Sequence, residues 1–198
     1  MDGPEIFVDD GTYCKFLGPL AVAADRVNRK IEMADSGFSK IPHGVTSDSG
    51  AADTVGPEDL AEYYPLQESY GSRNNIWYVG AGGHNIINLG QRNILVMTKD
   101  KQLRWLTLQV AKVKTLLGSV TQNNDHGQEV VYRKEGSYIK EVASGELLAL
   151  TRERGTFKFD AWIVPYQMIK AGLVTFKDKQ GISRTIKSNQ SAGFSMQR

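Results

Sequence analysis

Apolar residues in this chain recur in short runs, most of them closed by Gly, Asn, Asp or Ser. Glu5-Ile6-Phe7-Val8 reads as a strand stopped by the turn signal Asp9-Asp10-Gly11. Leu20–Arg29 suits one short helix at best, and Ile31–Ala34 is a further short run. Val45–Ser47 runs into Asp48-Ser49-Gly50, and Ile76-Trp77-Tyr78-Val79, aromatic and β-branched, ends in Gly80-Ala81-Gly82-Gly83. Ile86-Ile87 and Ile94–Met97 follow as separate runs. Leu103–Val110 alternates, with Arg104, Thr107 and Gln109 as its outward polar positions. Glu129–Tyr132, Tyr138–Val142 and Leu147–Leu150 make a meander with turns at Glu135-Gly136 and Ser144-Gly145, and Phe157–Val164 is a last strand stopped by Pro165. Helix signals are sparse, the clearest being a single turn at Pro57-Glu58-Asp59-Leu60 with Pro at its first position.

Short strands at near-regular spacing predict an all-β fold, a closed antiparallel barrel or a sandwich. Trp77, Tyr78, Trp105 and Trp162 alternate with apolar neighbours and read as core. Beyond Ile169 the chain turns polar.

Composition narrows the function classes. With 198 residues and 40% apolar content, the chain holds one domain with extensions or two very small ones. Lys plus Arg is 24 and Asp plus Glu is 22, so the net charge of +2 gives no reason to expect nucleic acid or an anionic membrane as partner. No run approaches the roughly 18 apolar residues that span a bilayer. The acidic start Met1-Asp2-Gly3-Pro4-Glu5 is no secretory signal, so a cytoplasmic, intracellular location is expected. A lone cysteine, Cys14, excludes an intrachain disulfide framework and reads as an idle thiol. His43, His84 and His126 are too scattered for metal-ligand spacing.

The most informative stretch is Val45 to Val55. It places a carboxylate, Asp48, at a strand end, followed by Ser49, Gly50 and the small residues Ala51 and Ala52. A strand leading into a tight glycine turn holds a carboxylate on rigid backbone, where nearby amides and a hydroxyl can donate to it. Such a group has a use when a second carboxylate faces it, because two close carboxylates share one proton and divide the roles of base and acid.

Asp48-Ser49-Gly50-Ala51-Ala52-Asp53-Thr54-Val55 resembles the active-site segment of retropepsins, the aspartic proteases of retroviruses and retrotransposons. Tyr78-Val79-Gly80-Ala81-Gly82-Gly83-His84-Asn85-Ile86 is similar to their glycine-rich flap. Lys114-Thr115-Leu116-Leu117-Gly118 resembles the apolar-apolar-Gly segment before their short C-terminal helix. Leu66–Arg73, Asn88–Gln91 and Gly136–Ile139 also look like retropepsin-type regions of retrotransposon polyproteins. The resemblance covers residues 38–164, leaving 1–37 as an N-terminal extension and 165–198 as a polar tail or linker.

The resemblance implies a closed antiparallel barrel of retropepsin type with one short helix. It also implies peptide-bond hydrolysis by a homodimer in retroelement polyprotein processing, with no metal or organic cofactor. Asp48 would be catalytic, with one carboxylate from each chain activating a water. Ser49 would brace the two loops across the dimer axis and Gly50 would present its carbonyl to the substrate. Ala51, Asp53, Gly80, Gly82 and Gly83 would line the peptide site, the glycines as a mobile flap.

The chain departs from the family at three positions. Ser47 stands where an apolar residue usually precedes the aspartate. Ala52 and Ser119 stand where retroviral enzymes carry a paired aspartate and arginine. Their joint absence is coherent, since losing one partner alone would strand a charge. These departures keep a second expectation in view, an inactive peptide-binding or assembly module of the same fold; a structural capsid protein is a third. Asp35-Ser36-Gly37 reads as an ordinary turn, because 13 residues before Asp48 cannot build a second lobe. Gly80–Gly83 is no dinucleotide loop, because the third glycine would fall at Asn85.

Overall fold

The computed structural model describes residues 5–8, 12–16, 37–100, 103–177 and 183–186. In chain order the first strands are β1 (Glu5–Val8), β2 (Thr12–Phe16), β3 (Ser39–Lys40), β4 (Val45–Asp48), β5 (Val55–Pro57), β6 (Trp77–Val79), β7 (Asn85–Thr98) and β8 (Leu103–Ala111). They continue as β9 (Leu116–Ser119), β10 (Gln128–Val131), β11 (Ser137–Glu141), β12 (Leu147–Glu153), β13 (Thr156–Phe159), β14 (Ala161–Ile163), β15 (Val174–Lys177) and β16 (Ser183–Thr185). Among the described residues three short helices interrupt them: α1 (Tyr70–Arg73), α2 (Val120–Asp125) and α3 (Tyr166–Lys170). The protein is therefore mostly β, as the short closed runs predict.

The described residues divide into two compact units. Residues 41–94 and 106–161 form one; those of 1–40, 95–105 and 162–198 form the other. In the larger unit the strands follow the order β10-β11-β12-β13-β4-β9-β5-β8-β7-β6. The meander β10–β13 pairs antiparallel throughout, and β13 continues onto β4 with Phe157 opposite Ser47. Two junctions are parallel: β4 with β9, and β5 with β8. Parallel neighbours need a long crossover, and the segments between these strands supply it.

The expectation of a closed antiparallel barrel is corrected in two respects. The sheet is mixed, and it is open, because the path ends on β10 and β6 and these do not pair with each other. Strand periodicity carries no information on which strands meet, so neither property is readable from it. The core of this unit is Val45, Val55, Leu60, Tyr64, Leu108, Val110, Leu116, Ile139 and Leu148, all buried. Burying each large aliphatic side chain contributes about 1.5–3 kcal/mol.

Several local expectations also change. Ile86-Ile87 and Ile94–Met97 belong to one strand of 14 residues, β7, and do not form two. Gly90 lies within it, with φ +134°, and a Cβ there would stand 2.5 Å from the Gln67 carbonyl oxygen. Gln67 and Gln91 exchange backbone hydrogen bonds at this point, so the glycine admits a close backbone approach. Phe157–Val164 is broken at Asp160 into β13 and β14. Arg104, expected outward, is buried, and Trp77, expected in the core, is 56% exposed.

In the smaller unit β1 pairs antiparallel with β2, and β2 with β15, which pairs with β16. The described part of 165–198 thus carries α3, β15 and β16, with Ile169, Val174 and Ile186 buried. The helix at Leu20–Arg29, the run Ile31–Ala34, the Asp9–Gly11 turn, the Asp35-Ser36 pair and the Cys14 side chain lie outside the described residues.

Gly44 directs the chain into β4. Its amide closes the turn on the Ile41 carbonyl at 3.0 Å, its φ is +71°, and a Cβ would stand 2.6 Å from the Phe159 carbonyl oxygen. Gly136 has a similar φ, +70°, with open space around it. Gly136→Ala is expected to cost about 1–2 kcal/mol for the left-handed backbone alone. Gly44→Ala should cost clearly more, because the carbonyl cannot yield cheaply. Urea midpoints of the two variants measure the difference, and equal losses would contradict this account of Gly44.

Candidate active site

Asp48 is the last residue of β4, half-buried, and aligned in the parallel ladder with Ser119 of β9. The Gly50 amide donates to Asp48 Oδ1 at 2.8 Å, so the loop folds back on the carboxylate. A Cβ on Gly50 would lie 3.3 Å from that oxygen, a tight approach that glycine avoids. Ser49 and Gly50 are exposed, and Ala51 is half-buried. The sequence segment therefore forms a strand-end loop that presents one carboxylate.

The loop after Asp48 is held from β9 and α2. Ser119, fully buried, donates its hydroxyl to the Ala51 carbonyl at 2.7 Å, with the Ala52 carbonyl at 3.3 Å. The same oxygen caps α2 by accepting from the Gln122 amide at 3.2 Å. The Ser119 amide donates to Thr54 Oγ1 at 3.1 Å. At the two positions where retroviral enzymes carry an ion pair, this chain has a neutral contact between Ser119 and the carbonyl of Ala52.

Ser47 also has a partner. Its hydroxyl and the Tyr132 hydroxyl share a hydrogen bond at 2.8 Å, and the Tyr132 ring lies 4.7 Å from the Phe157 ring across the sheet. The polar residue before the aspartate is thereby satisfied on a partly exposed face.

Gly80–Gly83 is the tip of the hairpin made by β6 and the start of β7, with Trp77 opposite Ile87 and Val79 opposite Asn85. The Gly80 amide donates to the His84 carbonyl at 2.9 Å and the Gly83 amide to the Gly80 carbonyl at 2.8 Å. Gly83 has φ +77°, which glycine adopts without strain. The His84 imidazole lies over Gly80 and Gly82. Trp77 and Val79 point outward, at 56% and 69% exposure, while Tyr78 between them points in.

Tyr78 connects the hairpin to the Asp48 loop. Its hydroxyl donates to Asp53 Oδ2 at 2.9 Å, and Gln122 Nε2 donates to Asp53 Oδ1 at 2.8 Å. Gln122 Oε1 in turn accepts the Thr54 amide at 2.9 Å. Behind the phenol, Asn88 Nδ2 donates to Tyr78 OH at 3.1 Å and to Gln109 Oε1 at 2.9 Å. Asn88 Oδ1 accepts the Gly90 amide at 2.8 Å. Burial, then the charge of Asp53 and its hydrogen bond, hold the Tyr78 phenol above its ordinary value, against a smaller opposing pull from Asn88.

The structure thus places Asp48, Ser49, Gly50, Ala51 and Asp53 on one loop, and Gly80, Gly82 and Gly83 on one hairpin tip. Sequence reasoning missed Tyr78, Asn88, Gln109, Ser119 and Gln122 as members of the site. Strand alternation around Trp77 and Val79 was the available signal for Tyr78, since an inward tyrosine needs a partner for its hydroxyl. The others carry no local signal.

Ser119→Ala is expected to destabilise the protein by about 1–3 kcal/mol, since loop carbonyls and a helix cap lose their partner together. Chemical denaturation reads this directly. Tyr78 also makes a pH-dependent contribution. The unfolded phenol loses its proton near 10.0 while the folded one keeps it, so this stability is full below that pH and is lost as pH rises through the folded value. Between about pH 8 and about pH 11, the wild type should lose more stability than Tyr78→Phe. Parallel losses would show that Tyr78 is not held by Asp53.

No family model, no curated protein and no solved structure matches this chain.

Proposed function

We propose that the chain is a retropepsin-like aspartic endopeptidase that works as a homodimer, with paired Asp48 carboxylates activating a water for attack on a peptide carbonyl. The observation that carries this is the placement of Asp48. It ends a strand, its loop folds back through Gly50, and the neighbouring strand β9 feeds directly into the short helix α2. That is the order of segments the family resemblance requires, with the Gly80–Gly83 hairpin joined to the same loop through Tyr78 and Asp53.

The chemistry needs no group beyond the chain and its copy. One Asp48 takes a proton from water while the other, protonated, donates to the carbonyl oxygen as the tetrahedral intermediate forms. A single chain offers one carboxylate of this kind, so the second copy supplies the other. The half-buried loop leaves Asp48 accessible for that pairing. Under this reading the substrate is an extended peptide, and a retroelement polyprotein is the natural source of it. Among the described residues no helix is long and apolar enough to cross a membrane.

Asp48→Asn is expected to abolish cleavage of unstructured peptides, by at least about a thousandfold in kcat/KM, while leaving a folded dimer on sizing. Cleavage retained in that variant would overturn the assignment. A statine-type transition-state mimic should inhibit the wild type.

A further inference from the structure

Asp53 is the residue whose surroundings fit least with its expected role. The resemblance makes it a substrate-binding carboxylate, yet both its oxygens are engaged within the chain. Oδ2 accepts from the Tyr78 hydroxyl at 2.9 Å and Oδ1 accepts from Gln122 Nε2 at 2.8 Å. One donor comes from the hairpin strand β6, the other from α2, and Asp53 itself belongs to the loop that begins at Asp48. A substrate side chain that sought this carboxylate would compete with two hydrogen bonds to a charged acceptor.

The tie has the properties of an anchor. Strand β6 is three residues long, and two of them, Trp77 and Val79, are mostly exposed. Tyr78 is the inward side chain, so much of the fixing of this strand falls on the phenol. The phenol is itself oriented from behind. Asn88, 95% buried by its 5% exposure, donates to it while its own carbonyl oxygen is fixed by the Gly90 amide. The chain of donors therefore runs one way, from Asn88 through Tyr78 to Asp53, and each link polarises the next toward the carboxylate. On the other side, Gln122 is fixed by the Thr54 amide and by its place after the Ser119 cap.

We propose that Asp53 is a flap-positioning residue: its carboxylate joins Tyr78 of the hairpin to Gln122 of α2 and sets the hairpin's place relative to the Asp48 loop, in place of binding substrate. Calling the hairpin a flap rests on the proposed protease function. The tie itself does not, and opening of the hairpin would break the Tyr78–Asp53 bond first, since that bond links it to the loop.

Amide hydrogen exchange on the full chain tests this without requiring activity. Tyr78→Phe keeps the ring and removes the donor, and Asp53→Asn keeps the size and removes the charge. Each should speed exchange of the Gly80 and Gly83 amides about 10- to 100-fold, the loss expected for a hydrogen bond to a charged group. The double variant should exchange no faster than the faster single one, because both remove the same link. The Ile139 and Leu148 amides of the meander serve as the control for general unfolding and should not change. The second readout is the Tyr78 phenol titration, followed by NMR of ring-labelled tyrosine. It should move down toward 10.0 in Asp53→Asn. Unchanged exchange at Gly80 and Gly83, multiplying effects in the double variant, or an unmoved Tyr78 titration would each overturn the proposal. If Asp48→Asn shows the protease function to be wrong, these measurements still decide what Asp53 does.

Discussion

A loop that turns beside the buried part of a sheet must find partners for its backbone, and this requirement shapes residues 48–54. Unpaired peptide groups cost about 1–3 kcal/mol each away from water. The chain meets the need with two side chains from one short segment. Ser119 takes the Ala51 carbonyl and Gln122 takes the Thr54 amide. The parallel β4–β9 pairing sets Ser119 opposite Asp48, and so brings both side chains to the loop. The position of Asp48 is thereby a consequence of satisfying its neighbours. Its carboxylate takes the Gly50 amide, and its backbone is placed by the ladder with β9.

The three departures from the family pattern acquire a common physical sense. An ion pair buried under the loop would carry a desolvation cost that its attraction need not offset. A serine hydroxyl on a peptide carbonyl carries little of that cost and holds the same two segments. Ser47 follows the same logic, since its hydroxyl bonds Tyr132 on a face where Tyr132 and Phe157 already cover the sheet. The carboxylate that remains in the loop besides Asp48, Asp53, is met by two neutral donors, Tyr78 and Gln122. The contacts that hold this loop are hydrogen bonds from neutral groups.

Much of the strand content was legible in the sequence, and the reason is local. Ile94–Met97 and Leu147–Leu150 announce themselves by apolar runs or alternation, and turns such as Ser144-Gly145 announce their own ends. What failed depends on distant parts of the chain. Ile86-Ile87 and Ile94–Met97 read as separate runs until the Gln67 approach at Gly90 is seen, and Arg104 reads as outward until its burial is known. The open, mixed ladder was equally hidden, because β4 and β9 pair Asp48 with Ser119 across a long stretch of chain and no local pattern links them; pairing is a global property. The site divides in the same way. Asp48, Ser49 and Gly50 were readable as a segment, whereas Gln122 and Asn88 matter only through partners elsewhere in the chain.

The disposition of the two aspartates bears on why one chain would be insufficient for the proposed chemistry. General acid and base roles at one peptide bond need two carboxylates with separated proton affinities, close enough to share a proton. Asp48 and Asp53 lie on the same loop, yet Asp53 has both oxygens bonded to Tyr78 and Gln122 and points into the chain. It cannot turn to face Asp48 without abandoning both donors and leaving the buried Asn88–Tyr78 chain without its acceptor. Under the proposed chemistry the second carboxylate would come from outside the chain, and the simplest source that presents the same geometry is another Asp48 related by a two-fold axis. The hydrogen bonds that fix Asp53 would then do two things at once: remove the internal competitor for the role of second acid, and leave the half-buried Asp48 to pair with its copy.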